Sequence, residues 1–155
     1  MTAGDDGLVE IVLLGLPVEV HRRTSEHSDE LQREFALLRA SIDSGSDVPA
    51  RLLALIDEVG GRYRGFTENT QQELLDAMDR REETVDLVYR IPAHVRQATI
   101  HLGELLDEAD RFCRAGDLLT LATPPEALAY RRWFLNEFVR QIDGEAPMPW
   151  SDFTP

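Results

Sequence analysis

Two stretches of this chain carry the apolar, β-branched pattern of a strand, with Leu118 to Ala122 ambiguous, and a long run of helical periodicity separates the two. The first, Leu8-Val9-Glu10-Ile11-Val12-Leu13-Leu14, is bounded by Gly7 and Gly15; the second, Thr84 to Ile91, alternates β-branched or aromatic residues with polar ones. So little strand material dictates a mainly helical α+β domain, with about five helices and a small two- or three-stranded sheet. The two strands cannot form a hairpin, because three helices separate them, and direct pairing favours a parallel arrangement with a right-handed crossover. A two-stranded sheet is marginal and leaves its edges bare. A third strand at Leu118 to Ala122, or a neighbouring chain, is therefore expected to protect it.

Helical grammar fills the rest. Pro17 opens the first helix, whose apolar stripe is Val20, Thr24, Leu31, Phe35, Leu38 and Ile42 and which ends near Asp43. Ser44 to Asp47 forms a turn, Pro49 starts a second helix bearing Leu52, Leu55, Ile56 and Val59, and Gly60-Gly61 stops it. Thr70-Gln71-Gln72-Glu73 has capping-box spacing for a third helix that runs to about Glu83 with Leu74, Leu75 and Met78 inward. Pro92 starts the fourth, which carries Val95, Leu102, Leu105, Leu106, Ala109 and Phe112 to a stop at Gly116. Thr123-Pro124-Pro125-Glu126 is the clearest helix start in the chain and leads into Leu128, Tyr130, Trp133, Phe134, Phe138 and Ile142. Residues 1–7 read as a flexible N-terminus, 8–143 as one globular domain, and 144–155 as an extended Pro- and aromatic-rich tail.

The sequence also echoes itself. Val9-Glu10-Ile11-Val12 and Val85-Asp86-Leu87-Val88 share an apolar-acidic-apolar-apolar order, and each precedes a proline, Pro17 or Pro92, and a long helix. Related strand-proline-helix units and shared local grammar both account for this.

Charge narrows the function. With 16 basic residues, all arginine, against 29 acidic ones, the net charge of -13 repels phosphate backbones and anionic lipid, so neither nucleic acid nor membrane is an expected partner. No apolar run is long enough to span a bilayer, and Asp5 and Asp6 stand where a signal peptide needs positive charge, so a cytoplasmic location is expected. Cys113 is the single cysteine and closes no bridge within the chain.

Chemical signatures are sparse. His21 and His27 are six apart and His94 and His101 seven apart, without the i, i+4 or Glu-x-x-His spacing of helical metal sites, so no metal or cofactor is expected. His101 with Glu104 and Glu108 reads as a solvated helix face, and Asp107-Glu108-Asp110 as carboxylates neutralised at the surface by Arg111 and Arg114. No Gly-rich phosphate loop, nucleophile elbow or Cys-His pair points to catalytic residues. The large apolar groups Trp133, Phe138, Met148, Trp150 and Phe153 are the candidate interaction residues. A tail broken by Pro147, Pro149 and Pro155 has to dock its tryptophan, either within the chain or on another.

Two segments carry a resemblance. Val9 to Val20 (VEIVLLGLPVEV), followed by Glu26-His27-Ser28-Asp29-Glu30-Leu31 and Arg33-Glu34-Phe35, forms the first; Leu118 to Glu126 (LLTLATPPE) with Arg131-Arg132-Trp133 forms the second. In these the chain resembles small actinobacterial proteins of unassigned activity that accompany partner-switching regulators, the systems of anti-sigma kinases, their antagonists and a phosphatase. The chain lacks the Asp-x-Gly-x-Gly nucleotide loop of such a kinase. Asp43-Ser44-Gly45-Ser46 is similar to the phosphorylatable serine loop of an antagonist domain, but a helix rather than a strand precedes it, so Ser44 as a phosphosite stands against a plain helix-helix turn. The expected function is a non-catalytic regulatory or protein-interaction module with a protein partner or self-association, a homodimer included. The alternative is a small-molecule-binding or enzymatic domain with an acidic helical pocket near His94 and His101.

Overall fold

The computed structural model describes residues 7–42 and 68–154. The second expected helix and Ser44 lie outside them. Two strands, β1 (Leu8–Pro17) and β2 (Thr84–Pro92), and four helices, α1 (Val18–Ile42), α2 (Glu68–Asp79), α3 (Arg96–Ala115) and α4 (Pro125–Ile142), make up the described fold, with 3-10 turns at Ala93–Val95 and Trp150–Asp152. The molecule is mostly helical α+β with a two-stranded sheet.

The strands pair antiparallel, not parallel, with Val9 opposite Ile91, Glu10 opposite Arg90 and Val12 opposite Val88. The reason lies in where the helices return the chain. The Val18 N–H donates to the Glu83 carbonyl at 3.0 Å, so β2 starts at the end where β1 stops and the whole connection behaves as one long hairpin. The register slips between Leu13 and Leu16, where Gly15 takes a φ of 63° and its N–H donates to Asp86 Oδ1 at 2.7 Å. The echoed positions Val12 and Val88 face each other, so a local two-fold of the ladder exchanges the echoed strand segments.

No third strand forms at Leu118 to Ala122; that segment is an irregular loop that begins with bends. α2 also stops earlier than expected. Arg81 adopts a φ of 56°, its N–H bonds to the Met78 carbonyl and the Glu82 N–H to the Ala77 carbonyl, a Schellman closure in which arginine occupies the position glycine usually fills. Gly116, at φ 80°, closes α3 in the same way where the sequence places it.

The period-2 pattern of the strands decides the core. Ile11, Leu13, Leu16, Leu87, Tyr89 and Ile91 turn to one face of the sheet and pack on Leu74 of α2 and on Tyr130, Trp133 and Phe138 of α4. A second cluster joins Leu31 and Phe35 of α1 to Leu105 and Ala109 of α3 and to Leu118.

α4 is tied to the sheet by a side chain acting as a strand. Gln141 Oε1 accepts the Val12 N–H at 2.8 Å and Nε2 donates to the Val12 carbonyl at 2.8 Å. Its second amide hydrogen goes to Glu137 Oε2 at 2.9 Å, so every polar atom of the amide is used and its orientation follows from the partners. Replacing Gln141→Met keeps bulk but leaves the Val12 groups unmet, and is expected to lower stability by about 2 kcal/mol in urea unfolding with an unchanged m-value. A loss under about 0.5 kcal/mol would show that this bridge contributes little.

Candidate functional site

The tail docks within the chain. Trp150 lies edge-on to Trp133, with centroids 5.7 Å apart, and against Tyr130 at 6.0 Å, while Phe153 stacks on it at 6.1 Å. Trp133 Nε1 donates to the Met148 carbonyl at 2.9 Å and the Met148 N–H to the buried Glu137 carboxylate at 2.9 Å. Trp133 and Phe138 are core residues. Trp150 and Phe153 are half-buried and pack against that core, while the half-buried Met148 is joined to it through its backbone N–H and carbonyl.

Two carboxylates, the buried Asp110 and the half-buried Glu34, organise the other end of the helices. Asp110 of α3 accepts the Thr123 N–H at 2.9 Å and the Thr123 hydroxyl at 2.7 Å, and pairs with Arg131 of α4 at 2.9 Å. The partner of Asp110 is thus Arg131, not the neighbouring Arg111 or Arg114, and the group is buried rather than at the surface. Arg131 also holds Asp107 at 2.7 Å and donates to Thr123 Oγ1 at 3.2 Å. Because the Thr123 hydroxyl proton goes to Asp110, His27 Nε2, 3.3 Å from the same oxygen, is placed as a donor. Burial opposes ionisation of Asp110, yet Thr123 and Arg131 outweigh it and hold the carboxyl below its ordinary value.

Glu34 of α1 does the same for the preceding residues. It accepts the Leu119 N–H, the Thr120 N–H at 2.7 Å and the Thr120 hydroxyl. Burial again works against the charge, and these three donors overcome it and lower the pKa. The segment thus alternates as a strand would. Leu118 is buried, Thr120 and Thr123 are tied inward, and Leu119 and Leu121 project outward with 92% and 81% exposure. Carboxylates satisfy the amides that a neighbouring strand would otherwise satisfy. Leu37, 71% exposed, lies one turn beyond Glu34 on α1.

His21 Nδ1 lies 2.6 Å from the Tyr130 hydroxyl and Nε2 3.2 Å from Ser25 Oγ, which outlines a catalytic relay. Burial lowers the His21 pKa and raises that of Tyr130, so a neutral imidazole accepts the phenol proton at Nδ1 and carries its own at Nε2. Ser25 therefore faces a donor, not a base. Burial, followed by Asp110 and Glu34, pushes the Cys113 thiol up to about 11, which keeps it protonated at neutral pH. A cleft of about 390 Å³ between α3 and α4 is lined by the apolar Ile100, Leu135, Val139 and Phe153 and by the polar Thr99, Asp107, Arg131, Arg132 and Asn136; His94 and His101 are not among its lining residues. His94 is exposed, and His101 Nδ1 lies 3.7 Å from Glu104. Among the described residues, no three His, Cys, Asp or Glu side chains converge to hold a metal ion. No helix described is long and apolar enough to cross a membrane.

Comparison with known families, with curated proteins and with solved structures finds no match to this chain.

The carboxylate anchors respond to pH in a defined direction. Both folded-state values lie below those of the unfolded chain, so their stabilisation is complete above about pH 5 and is lost as pH falls through the depressed values. The amide resonances of Thr120 and Thr123 are expected to titrate in NMR with midpoints below the ordinary carboxylate range. In Glu34→Gln the Thr120 transition disappears while that of Thr123 persists, and Asp110→Asn does the reverse at a cost of about 1–3 kcal/mol. Amide titrations unaltered by either variant would contradict the anchoring role.

Proposed function

We propose that the protein is a non-catalytic interaction module, with Leu119 and Leu121 as its binding surface, acting in a partner-switching signalling system of the kind its sequence resembles. The observation that carries this reading is the held loop. Two almost fully exposed leucines stand on a segment whose inward residues are fastened by Glu34 and Asp110. An apolar pair presented in one conformation loses little entropy on binding, whereas a slack loop would have to be ordered first. The net charge of -13 suits a partner with an apolar hollow and a basic rim, because long-range attraction raises the encounter rate and selects against acidic proteins.

Covering each leucine contributes about 1.5–3 kcal/mol, so removing both weakens binding by at least about a hundredfold. Leu119→Asp/Leu121→Asp is expected to keep the far-UV spectrum and thermal midpoint, since neither side chain contributes to the core. Affinity capture with mass spectrometry is expected to recover a signalling regulator with the unaltered protein and to lose it with the double variant. Equal recovery by both would reject this surface, and capture of metabolic enzymes alone would reject the regulatory setting.

A further inference from the structure

On its outer edge β1 is bonded at Val12, whereas β2 has no such bond among the described residues. Gln141 bonds both the N–H and the carbonyl of Val12, so these groups point away from β2. In an antiparallel ladder both groups of a residue point the same way and alternate along the strand. Val88, opposite Val12, therefore turns its own N–H and carbonyl outward, as do Asp86 and Arg90 two residues to either side. Among the described residues nothing donates to or accepts from these backbone groups. The local two-fold that exchanges Val12 with Val88 thus relates a capped position to one with no cap among the described residues.

We propose that β2 is a self-association edge, on which a second copy of this chain adds its own β2 antiparallel, with the symmetry axis between the two Val88 residues. The side chains fit that register. Asp86 and Arg90 flank Val88 symmetrically, so the axis sets Asp86 of one copy opposite Arg90 of the other, twice. Asp86, Val88 and Arg90 all lie on the exposed face, while Leu87, Tyr89 and Ile91 face the core. Arg90 already lies 4.0 Å from Glu10 across the ladder and would gain Asp86 of the other copy on its free side, making a row of alternating charge. Val12 and Val88 of the two copies would form the central row, a β-branched line across four strands. Other registers put Val88 against a charged residue or bring like charges together. The same pairing turns a marginal two-stranded sheet into a four-stranded one.

Sedimentation equilibrium at physiological salt tests this. The unaltered protein is expected to approach twice its 17.5 kDa chain mass as concentration rises. Asp86→Arg and Arg90→Asp each place like charges in both cross-pairs and are expected to weaken association about tenfold or more. An equimolar mixture of the two variants restores opposite charges at both pairs and is expected to regain the unaltered affinity. Val88→Pro removes an N–H that has no acceptor among the described residues and is expected to leave a folded monomer by circular dichroism. Arg90→Asp and Val88→Pro both leave the Asp86 bond to Gly15 in place, so the test stands even where Asp86→Arg disturbs the bulge. A monomer up to millimolar concentration, a dimer indifferent to Val88→Pro, or folded charge variants that fail to recover on mixing would each overturn the proposal.

Discussion

The contact between the Gln141 amide and the backbone of Val12 is the constraint on which the sheet, the last helix and the tail together depend. It attaches α4 to β1 by the same two bonds a neighbouring strand would make. It is itself oriented by Glu137, a carboxylate only 1% exposed that also receives Arg140 and the Met148 N–H. A buried charge is tolerable only when its oxygens are met, and here a guanidinium, an amide and a backbone donor meet them. One carboxylate thus sets the edge of the sheet and the path of the tail that brings Trp150 onto Trp133.

The same device recurs at the opposite end of the helices. Glu34 and Asp110 supply acceptors to Leu119, Thr120 and Thr123 where no strand is present to do so. Side-chain carboxylates substitute for absent strands at the Leu118–Thr123 loop, and a side-chain amide does so at Val12. At β2 no such substitute is found among the described residues, and this asymmetry distinguishes a surface that is finished from one that awaits a partner.

Much of this was legible in the residues. The strand patterns, the proline starts at Pro17 and Pro92, the stop at Gly116 and the inward stripe of α4 all reflect local preferences that the tertiary structure keeps. The direction of pairing was not legible, because nothing in Val9–Leu13 or Val85–Tyr89 records at which end the intervening helices return. Leu118–Ala122 does alternate as a strand would, but periodicity reports which side chains face inward, not what the backbone bonds to. Glu137 and Gln141 could have been found, since both fall on the spacing of Tyr130, Trp133, Phe134 and Phe138, and a polar group on an apolar stripe signals a buried network. Asp110 could not, because its partner Arg131 lies on another helix while Arg111 and Arg114 offer closer neighbours in sequence.

The Val12 and Val88 amides, which the local symmetry makes equivalent, differ in whether an acceptor is found for them among the described residues. Hydrogen exchange resolved residue by residue, over a dilution series, measures that difference directly. The Val12 N–H, held by Gln141, is predicted to exchange slowly at every concentration. The Val88 N–H is predicted to exchange rapidly in dilute solution and to gain protection as the protein is concentrated. Slow exchange at Val88 down to the lowest concentration, or exchange at Val12 as fast as at Val88, would contradict a sheet with one closed and one open edge.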